Sequence, residues 1–446
     1  MMKNLGCFDV VVLGGGPTGV MAAVAAARSG VSVALVEEAG FVGGMAATGL
    51  PLLTYHNAYG DQIIKGLADE LVQRLVESSG SVGHLERPRE HFGKTITPVD
   101  GEMVKFEMMN MIVEAGVELY LHASAFGVVT RNDKIVGVCL YSESEIYELS
   151  GKVFIDATGD ADIARKAGVP SVNSLYKGHQ PATLMFQVGG VDLDEVAKEM
   201  NEELIIGRKL GEDEESIVCI QGNFGNWDEE VFEENLFPDS RHAIWFTSVR
   251  RGIVDINCTR LIGLDPLDIR GRTKGQIDGR FHILRIMDFM RRHMRSFANA
   301  WVTQVSSLLG VRDTYHIQGE YCLTKEDVIE GRMFDDTIAI GGYAIDLHDP
   351  EGEGIMLSPV NKKGYGIPYG TMIPLNVDGL IVAGRSICSE PIPFASFRVM
   401  AQCMAMGEAA GIAAALAVQS GEHPRNVGGK VLRERLAENG ACVSVG

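Results

Sequence analysis

Five side chains in the second half of the sequence have the types and spacing to bind a polar molecule and move its proton. His348 lies in Asp346-Leu347-His348-Asp349-Pro350, an imidazole beside two carboxylates. A neighbouring carboxylate can tune such an imidazole into a general base. A loop pinned by Asp-to-backbone turns explains the same residues. Arg312 and His316, in GVRDTYHIQGE, fall on one face if the segment is a strand, and would hold a carboxylate or a polyol. The competing reading is a structural ion pair of Arg312 with Asp313 or Glu320. Tyr369, in YGIPYG, sits where glycine and proline fix a turn, either as a proton donor or as a packed core tyrosine. Arg398, in SFRVMAQ, stands where a long alanine-rich helix is expected to open. There a guanidinium and a helix dipole together would hold negative charge; a surface ion pair is the alternative.

These side chains need a scaffold, and its clearest signature is FDVVVLGGGPTG at residues 8–19. Buried-type residues Val10 to Leu13 run into Gly14, Gly16 and Gly19, the three slots of a G-x-G-x-x-G turn. An alanine-rich helix follows to Ser29, then a second apolar strand, Val31 to Val36, ending on Glu37 and Glu38. Gly14 permits the tight turn, Gly16 lets backbone approach a pyrophosphate, and Gly19 lets helix meet strand. Pyrophosphate sits on the helix N-terminus, and the acid after the second strand holds a ribose hydroxyl. The spacing predicts a dinucleotide site.

Three more glycine turns lie downstream. Gly43-Gly44-Met45 follows the ribose acid, Asp156-Ala157-Thr158-Gly159-Asp160 ends one apolar strand, and Ala383-Gly384-Arg385 ends another. Strand ends so far apart in sequence, converging on one cofactor, point to FAD rather than NAD.

The segments GGGPTG, IDATGD at 155–160, GVRDT at 310–314, LTKEDV at 323–328, GIPYGTMIP at 366–374 and AGRSIC with the helix to 417 resemble the broad FAD-dependent oxidoreductase family. That family is related to the flavoprotein subunit of heterodisulfide reductase and, more remotely, to fumarate reductase flavoproteins. The resemblance covers nearly the whole chain. It implies an α/β fold, a Rossmann-type, glutathione-reductase-like FAD domain with an inserted α+β substrate or cap domain. It further implies that Gly14, Gly16, Pro17, Thr18 and Gly19 wrap the pyrophosphate and that Glu37, with Glu38 beside it, holds the adenosine ribose. Gly43, Gly44 and Met45 would run along the pyrophosphate and ring, and Phe126 would offer backbone to adenine. Ala157, Thr158, Gly159 and Asp160 would close over the ADP half, and Gly384 and Arg385 would touch ribityl and phosphate. Phe397, Arg398 and Val399 would lie beside the flavin pyrimidine edge.

Two departures from those relatives refine the expectation. No histidine occurs between residues 38 and 55, so FAD is expected to bind non-covalently. The eight cysteines form no C-x-x-C and cluster with no histidines, which argues against a metal, an iron–sulfur centre or a dithiol pair. A net charge of −19 disfavours nucleic acid and anionic membranes. With a strand starting near residue 8, no room for a signal peptide, no spanning apolar run and scattered cysteines, the chain reads as cytoplasmic.

At 446 residues, two domains are expected: a discontinuous FAD domain, 1–170 and 371–446, and a substrate or cap domain, 171–370. Within the latter, long helices are expected at about 275–296 and 298–309. The acidic stretches around 199–215 and 226–240 read as surface. The leading expectation is an oxidoreductase exchanging hydride between flavin N5 and a small hydroxylated or carboxylated substrate, with an unidentified electron acceptor or donor and a homo-oligomer compatible with the long helices. A component of a larger redox complex and a non-catalytic flavin binder are the alternatives.

Overall fold

A computed structural model describes residues 2–87, 94–199, 205–209, 215–222, 227–237, 244–351 and 354–445. Most of the first acidic stretch, 200–204 and 210–214, falls outside the described residues; in the second, 227–237 is described, and Val231, Leu236 and Phe237 are buried in an apolar cluster rather than on the surface. The central strand, Lys3–Leu13, pairs in parallel with Val33–Val36 on one side and Glu145–Asp156 on the other. Glu118–Tyr120 extends the first side and Leu380–Val382 the second, both in parallel. Parallel strands are covered on both faces, which is why Val10, Val11 and Val12 are fully buried. Chain order reverses direction between Lys3–Leu13 and Glu145–Asp156, the switch point at which ligands bind beyond the strand ends. The long third strand also pairs antiparallel with Lys134–Ser142, and that with Ser124–Arg131, forming a meander beside the parallel sheet.

The first helix, Pro17–Arg28, starts on a proline that has no N–H to lose and stops at Gly30, whose φ is +87°. It lies against the helix Met400–Ser420, with Gly407 and Gly411 at the contact. A Cβ on Gly407 would stand 2.2 Å from the Thr18 carbonyl oxygen, and one on Gly411 the same distance from that of Ala22. The 400–420 helix is long and apolar enough to cross a membrane, and 83% of its apolar window is buried inside the protein.

Two expectations change. The C-terminal helix does not open at Ser396. Pro391–Phe397 is a separate helix, and Val399, extended at φ −71° and ψ 150°, begins the next. The segment expected to be helical at 298–309 instead contains a strand, Trp301–Val305, paired with Phe186–Gly189. Its Trp-Val-Thr-Gln-Val run is rich in β-formers, and a six-stranded antiparallel sheet supplies the partner.

That sheet and the helix Ile269–His293 enclose their own apolar cluster, from Ala182 to Ala300. By contrast, Leu323, Ile338, Ile340, Tyr365, Ile367 and Ile373 pack in the same core as the first and last long helices. The packing therefore changes well before residue 371.

Gly407→Ala should lower the unfolding free energy by about 1–3 kcal/mol in a urea titration, because its Cβ meets backbone. Gly16→Ala, whose Cβ would meet nothing within 4 Å, should cost under about 1 kcal/mol.

Candidate active site

The strand ends open into one cavity. Gly14 has φ +98°, and a Cβ there would lie 2.6 Å from the Ala157 carbonyl oxygen, so only glycine fits. A Cβ on Gly19 would lie 1.8 Å from the Gly14 oxygen, which brings the helix onto its strand. Gly16 faces open space and caps the first helix with no side-chain hydrogen bond. The first N–H groups of that helix, beside Pro17 and Thr18 on the cavity wall, form a ready anion site.

At one end of the cavity stand Glu37 and the exposed Glu38. Glu37 accepts hydrogen bonds from Gly15 N–H at 2.5 Å and Ala39 N–H at 2.8 Å. Burial pushes its carboxyl pKa up, and those two bonds pull against the rise. Gly44, Met45, Ala157, Thr158, Gly159, Asp160, Gly384 and Arg385 continue the wall. Arg385 donates to the Gly159 carbonyl at 2.8 Å and to Asp160 at 2.7 Å. Arg272 reaches Asp160 from the long helix of the inserted region. Burial would raise Asp160, but Arg385 and Arg272 together hold it below the ordinary carboxylate range.

The far end is charged. Val399 and Met400 line it at the start of the last long helix, with no side-chain cap on that helix. Arg398 turns away from solvent and donates to the Asp346 carbonyl at 2.8 Å and to Asp346 Oδ2 at 3.2 Å. Its Nε is buried without a hydrogen bond. Asp346 Oδ1 lies 3.3 Å from His348 Nε2, and Arg260 lies 3.2 Å from His348 Nδ1. A carboxylate only accepts and a guanidinium only donates, so His348 carries its proton on Nε2 and its lone pair on Nδ1. Burial, then Arg312, pushes the His348 pKa down to about 4 against the pull of Asp346. Burial alone would raise Asp346, yet His348, Arg398 and Arg312 hold it well below the ordinary carboxylate range. Arg312 lines the cavity and donates to the Pro181 carbonyl. Burial first, and repulsion from Arg398 next, brings it down to about 10.

Of the five sequence candidates, the fold brings Arg312, His348 and Arg398 together and leaves two elsewhere. His316 is buried, bonded to Asp313 at 2.8 Å and stacked on Tyr176. Its segment forms no strand with Arg312, so the shared face expected for the two does not exist. Asp313 pairs with His316 and Glu320 with Arg425, so neither forms the expected ion pair with Arg312. Tyr369 is a packed core residue whose hydroxyl donates to the Pro424 carbonyl at 3.0 Å. Among the cofactor candidates, Phe126 is half exposed on the meander, away from the cavity wall. Ala123, at the foot of that meander, meets the Glu37 carbonyl instead. Gly19, Gly43 and Phe397 support the wall from behind: the Gly43 N–H donates to the Gly15 carbonyl at 2.8 Å. Sequence reasoning missed Arg260 and Arg272, which arrive from the inserted region, and Tyr343, which follows the glycine pair 341–342.

His348 should stay neutral at pH 5 in an imidazole NMR titration. Arg312→Gln should raise its pKa by roughly one unit, since a like charge is removed. Its folded pKa lies below the unfolded value, so this histidine costs stability as pH falls from about 6.5 toward about 4.

Comparison with known proteins bears on the family and the fold. The model of a family described as FAD dependent oxidoreductase matches residues 9–436. The digeranylgeranylglycerophospholipid reductase 1 of Methanococcoides burtonii is 26% identical over 194 residues, 42% of this chain and 46% of the relative. A second such reductase, from Methanopyrus kandleri, is 29% identical over 199 residues, 43% and 47% of the two chains. The matches thus span about half the length of these relatives. The crystal structure of a geranylgeranyl bacteriochlorophyll reductase-like protein from Thermoplasma acidophilum superposes with a TM-score of 0.51 at 15% identity, covering 99% of this chain and 85% of that one. This last likeness is one of fold.

Proposed function

The chain belongs to the FAD-dependent oxidoreductase family, and from that premise we propose that it exchanges hydride between flavin N5 and a small polar substrate bearing an anionic group. The observation that carries the reading is the far end of the cavity. Arg312 and Arg398 face one carboxylate, Asp346, beside a neutral imidazole, His348, which Arg260 meets from its other side. Arg398 takes up the Asp346 carboxylate, so the nearby Arg312 guanidinium, bonded among the described residues only to the Pro181 carbonyl, leaves positive charge in the site, a place that takes a carboxylate or a phosphate.

The cradle fits FAD. Gly16 leaves open space beside the first helix's N-terminus and would hold the pyrophosphate there, Glu37 would hold the ribose, and the uncapped N–H groups of the 400–420 helix would hold the pyrimidine edge. Bound FAD supplies the two-electron centre. The chain's own residues do the rest. Arg312 and Arg398 orient the substrate anion. His348 Nδ1, the imidazole nitrogen that keeps a lone pair, is the proton acceptor for a substrate hydroxyl that comes to lie beside Arg260. Asp346 holds the imidazole in the Nε2–H tautomer and stabilises it when protonated.

A prenyl-lipid substrate is the second reading. The names of the reductase relatives suggest it, and Leu50, Leu53, Leu308, Leu309 and Ile355 on the same wall favour it. Passage of electrons within a larger redox complex, suggested by the likeness to heterodisulfide reductase, has no such local support.

The purified protein should be yellow, and acid precipitation should release the flavin into the supernatant. Under anaerobic conditions a hydroxy acid should bleach the flavin band, whereas bleaching or reoxidation by prenyl phosphates alone favours the second reading. Arg312→Gln should raise KM for the active substrate by about 10–100-fold with a smaller effect on kcat, the loss of one charge-assisted hydrogen bond. An unchanged KM removes Arg312 from substrate binding.

A further inference from the structure

Spacing along the chain gives no hint of a cysteine pair, yet the fold makes one. Leu323 and Ser389 form a parallel bridge, with Leu323 N–H donating to the Cys388 carbonyl at 3.2 Å and Glu390 N–H to the Leu323 carbonyl at 3.0 Å. The residues just before them, Cys322 and Cys388, are therefore neighbours in register and point to one face. Paired strands lie about 4.8 Å apart, inside the Cα separation of about 4.4–6.8 Å that a disulfide spans. Their thiols hydrogen-bond to each other, and both are free. Cys388 is buried, and Cys322 is half buried and reachable from solvent. Both pack in the apolar cluster on the second face of the parallel sheet. Neither lines the cofactor cavity, so the pair lies outside the flavin chemistry.

Backbone on each side holds the two segments in place. Glu320 and Tyr321 N–H groups bond the carbonyls of Ile373 and Gly370, and Cys388 N–H bonds the Thr371 carbonyl. The hydrogen bond from Cys322 and one from the Gly319 backbone lower the Cys388 pKa against the effect of burial. One thiolate shared across such a pair is the form that reacts.

We propose that Cys322 and Cys388 form a reversible intramolecular disulfide, a modification site set by exchange with low-molecular-weight disulfides such as oxidised glutathione. The hydrogen bond to Cys388 and burial push the Cys322 thiol up, so Cys322, the sulfur within reach of solvent, passes its proton to the Cys388 thiolate through that hydrogen bond as it attacks one sulfur of oxidised glutathione. The glutathione S–S bond breaks, one glutathione leaves as thiolate and takes that proton from Cys388, and a mixed disulfide remains on Cys322. The Cys388 thiolate then attacks the Cys322 sulfur and expels the second glutathione. Two protein thiols are oxidised, one glutathione disulfide is reduced to two thiols, and the two protein protons pass to the leaving thiolates. The link joins 319–323 to the segment that carries Arg385 and Arg398. Closing it restrains the wall on which the cofactor rests.

The test uses the FAD-loaded protein, equilibrated with glutathione buffers of increasing oxidised fraction. Non-reducing peptide mapping should show the Cys322 peptide joined to the Cys388 peptide, with two free thiols lost and both restored by dithiothreitol. Oxidation should raise the melting temperature by roughly 5 °C and slow flavin release. Cys322→Ser, at the half-buried position, should abolish the linkage while keeping FAD content, and Cys388→Ala should leave glutathione stranded on Cys322. Three results would overturn the proposal: an unchanged thiol count, linkage through other cysteines, or stable glutathione on Cys322 of the unmutated chain.

Discussion

Contact of backbone with backbone around the first helix is the constraint on which the rest of the structure depends. Gly14 and Gly19 bring that helix onto its strand, and Gly407 and Gly411 bring the last long helix onto its other side. At each of these contacts a single Cβ would fall inside van der Waals distance of a carbonyl oxygen or carbon. The result is a helix held rigidly between sheet and helix, with its N-terminus at the sheet's switch point. A dipole has force over only a turn or so, so the helix must end at the cavity itself to act on a bound anion. Glycine, a poor residue for intrinsic helix stability, is therefore used at 407 and 411 because the approach it permits outweighs its propensity cost.

The other end of the cavity rests on a different principle. Arg312 and Arg398 both act on Asp346, and burial first, then repulsion from Arg398, brings Arg312 down to about 10. Buried like charges persist when the surrounding fold over-determines them, and such repulsion collects where a ligand will relieve it. An incoming anion would complete the pairing. The same arrangement keeps His348 neutral, since burial and Arg312 outweigh its Asp346 partner. Positive charge that binds the substrate thus also prepares the base.

How much of this the sequence shows depends on range. The nucleotide half is legible because its signals are local: a strand, three glycines, a helix and Glu37 within thirty residues. The three later glycine turns could be read the same way, and Gly44, Ala157, Gly159, Gly384 and Arg385 do stand on one wall. The substrate end is not local. Arg260 meets His348 across 88 residues, and Asp346 meets Arg398 across 52. Arg312 and His316, close in sequence, part company because irregular backbone between them replaces the expected strand. Trp301–Val305 misleads for a related reason: its short apolar run suits helix or strand until Phe186–Gly189 pairs with it. Cysteine spacing is silent about the neighbourhood of 322 and 388, since a parallel bridge between Leu323 and Ser389 joins segments far apart in the sequence.

One stretch ties the two ends together. From Ala383 to Met400 the chain supplies Gly384 and Arg385 to the cofactor wall, then the short helix Pro391–Phe397, then Arg398 and Val399. The break after Phe397 does two things at once. An uninterrupted helix would bury the N–H groups of Met400 and Ala401 in hydrogen bonds to the preceding turn. The extended backbone at Val399 instead leaves them at a fresh N-terminus on the cavity wall. The same turn of the chain sends the Arg398 guanidinium back to Asp346. Cofactor electrostatics and substrate electrostatics are consequently set by adjacent residues. Any displacement of this stretch moves both together, so cofactor contact and anion contact cannot be tuned independently in this fold.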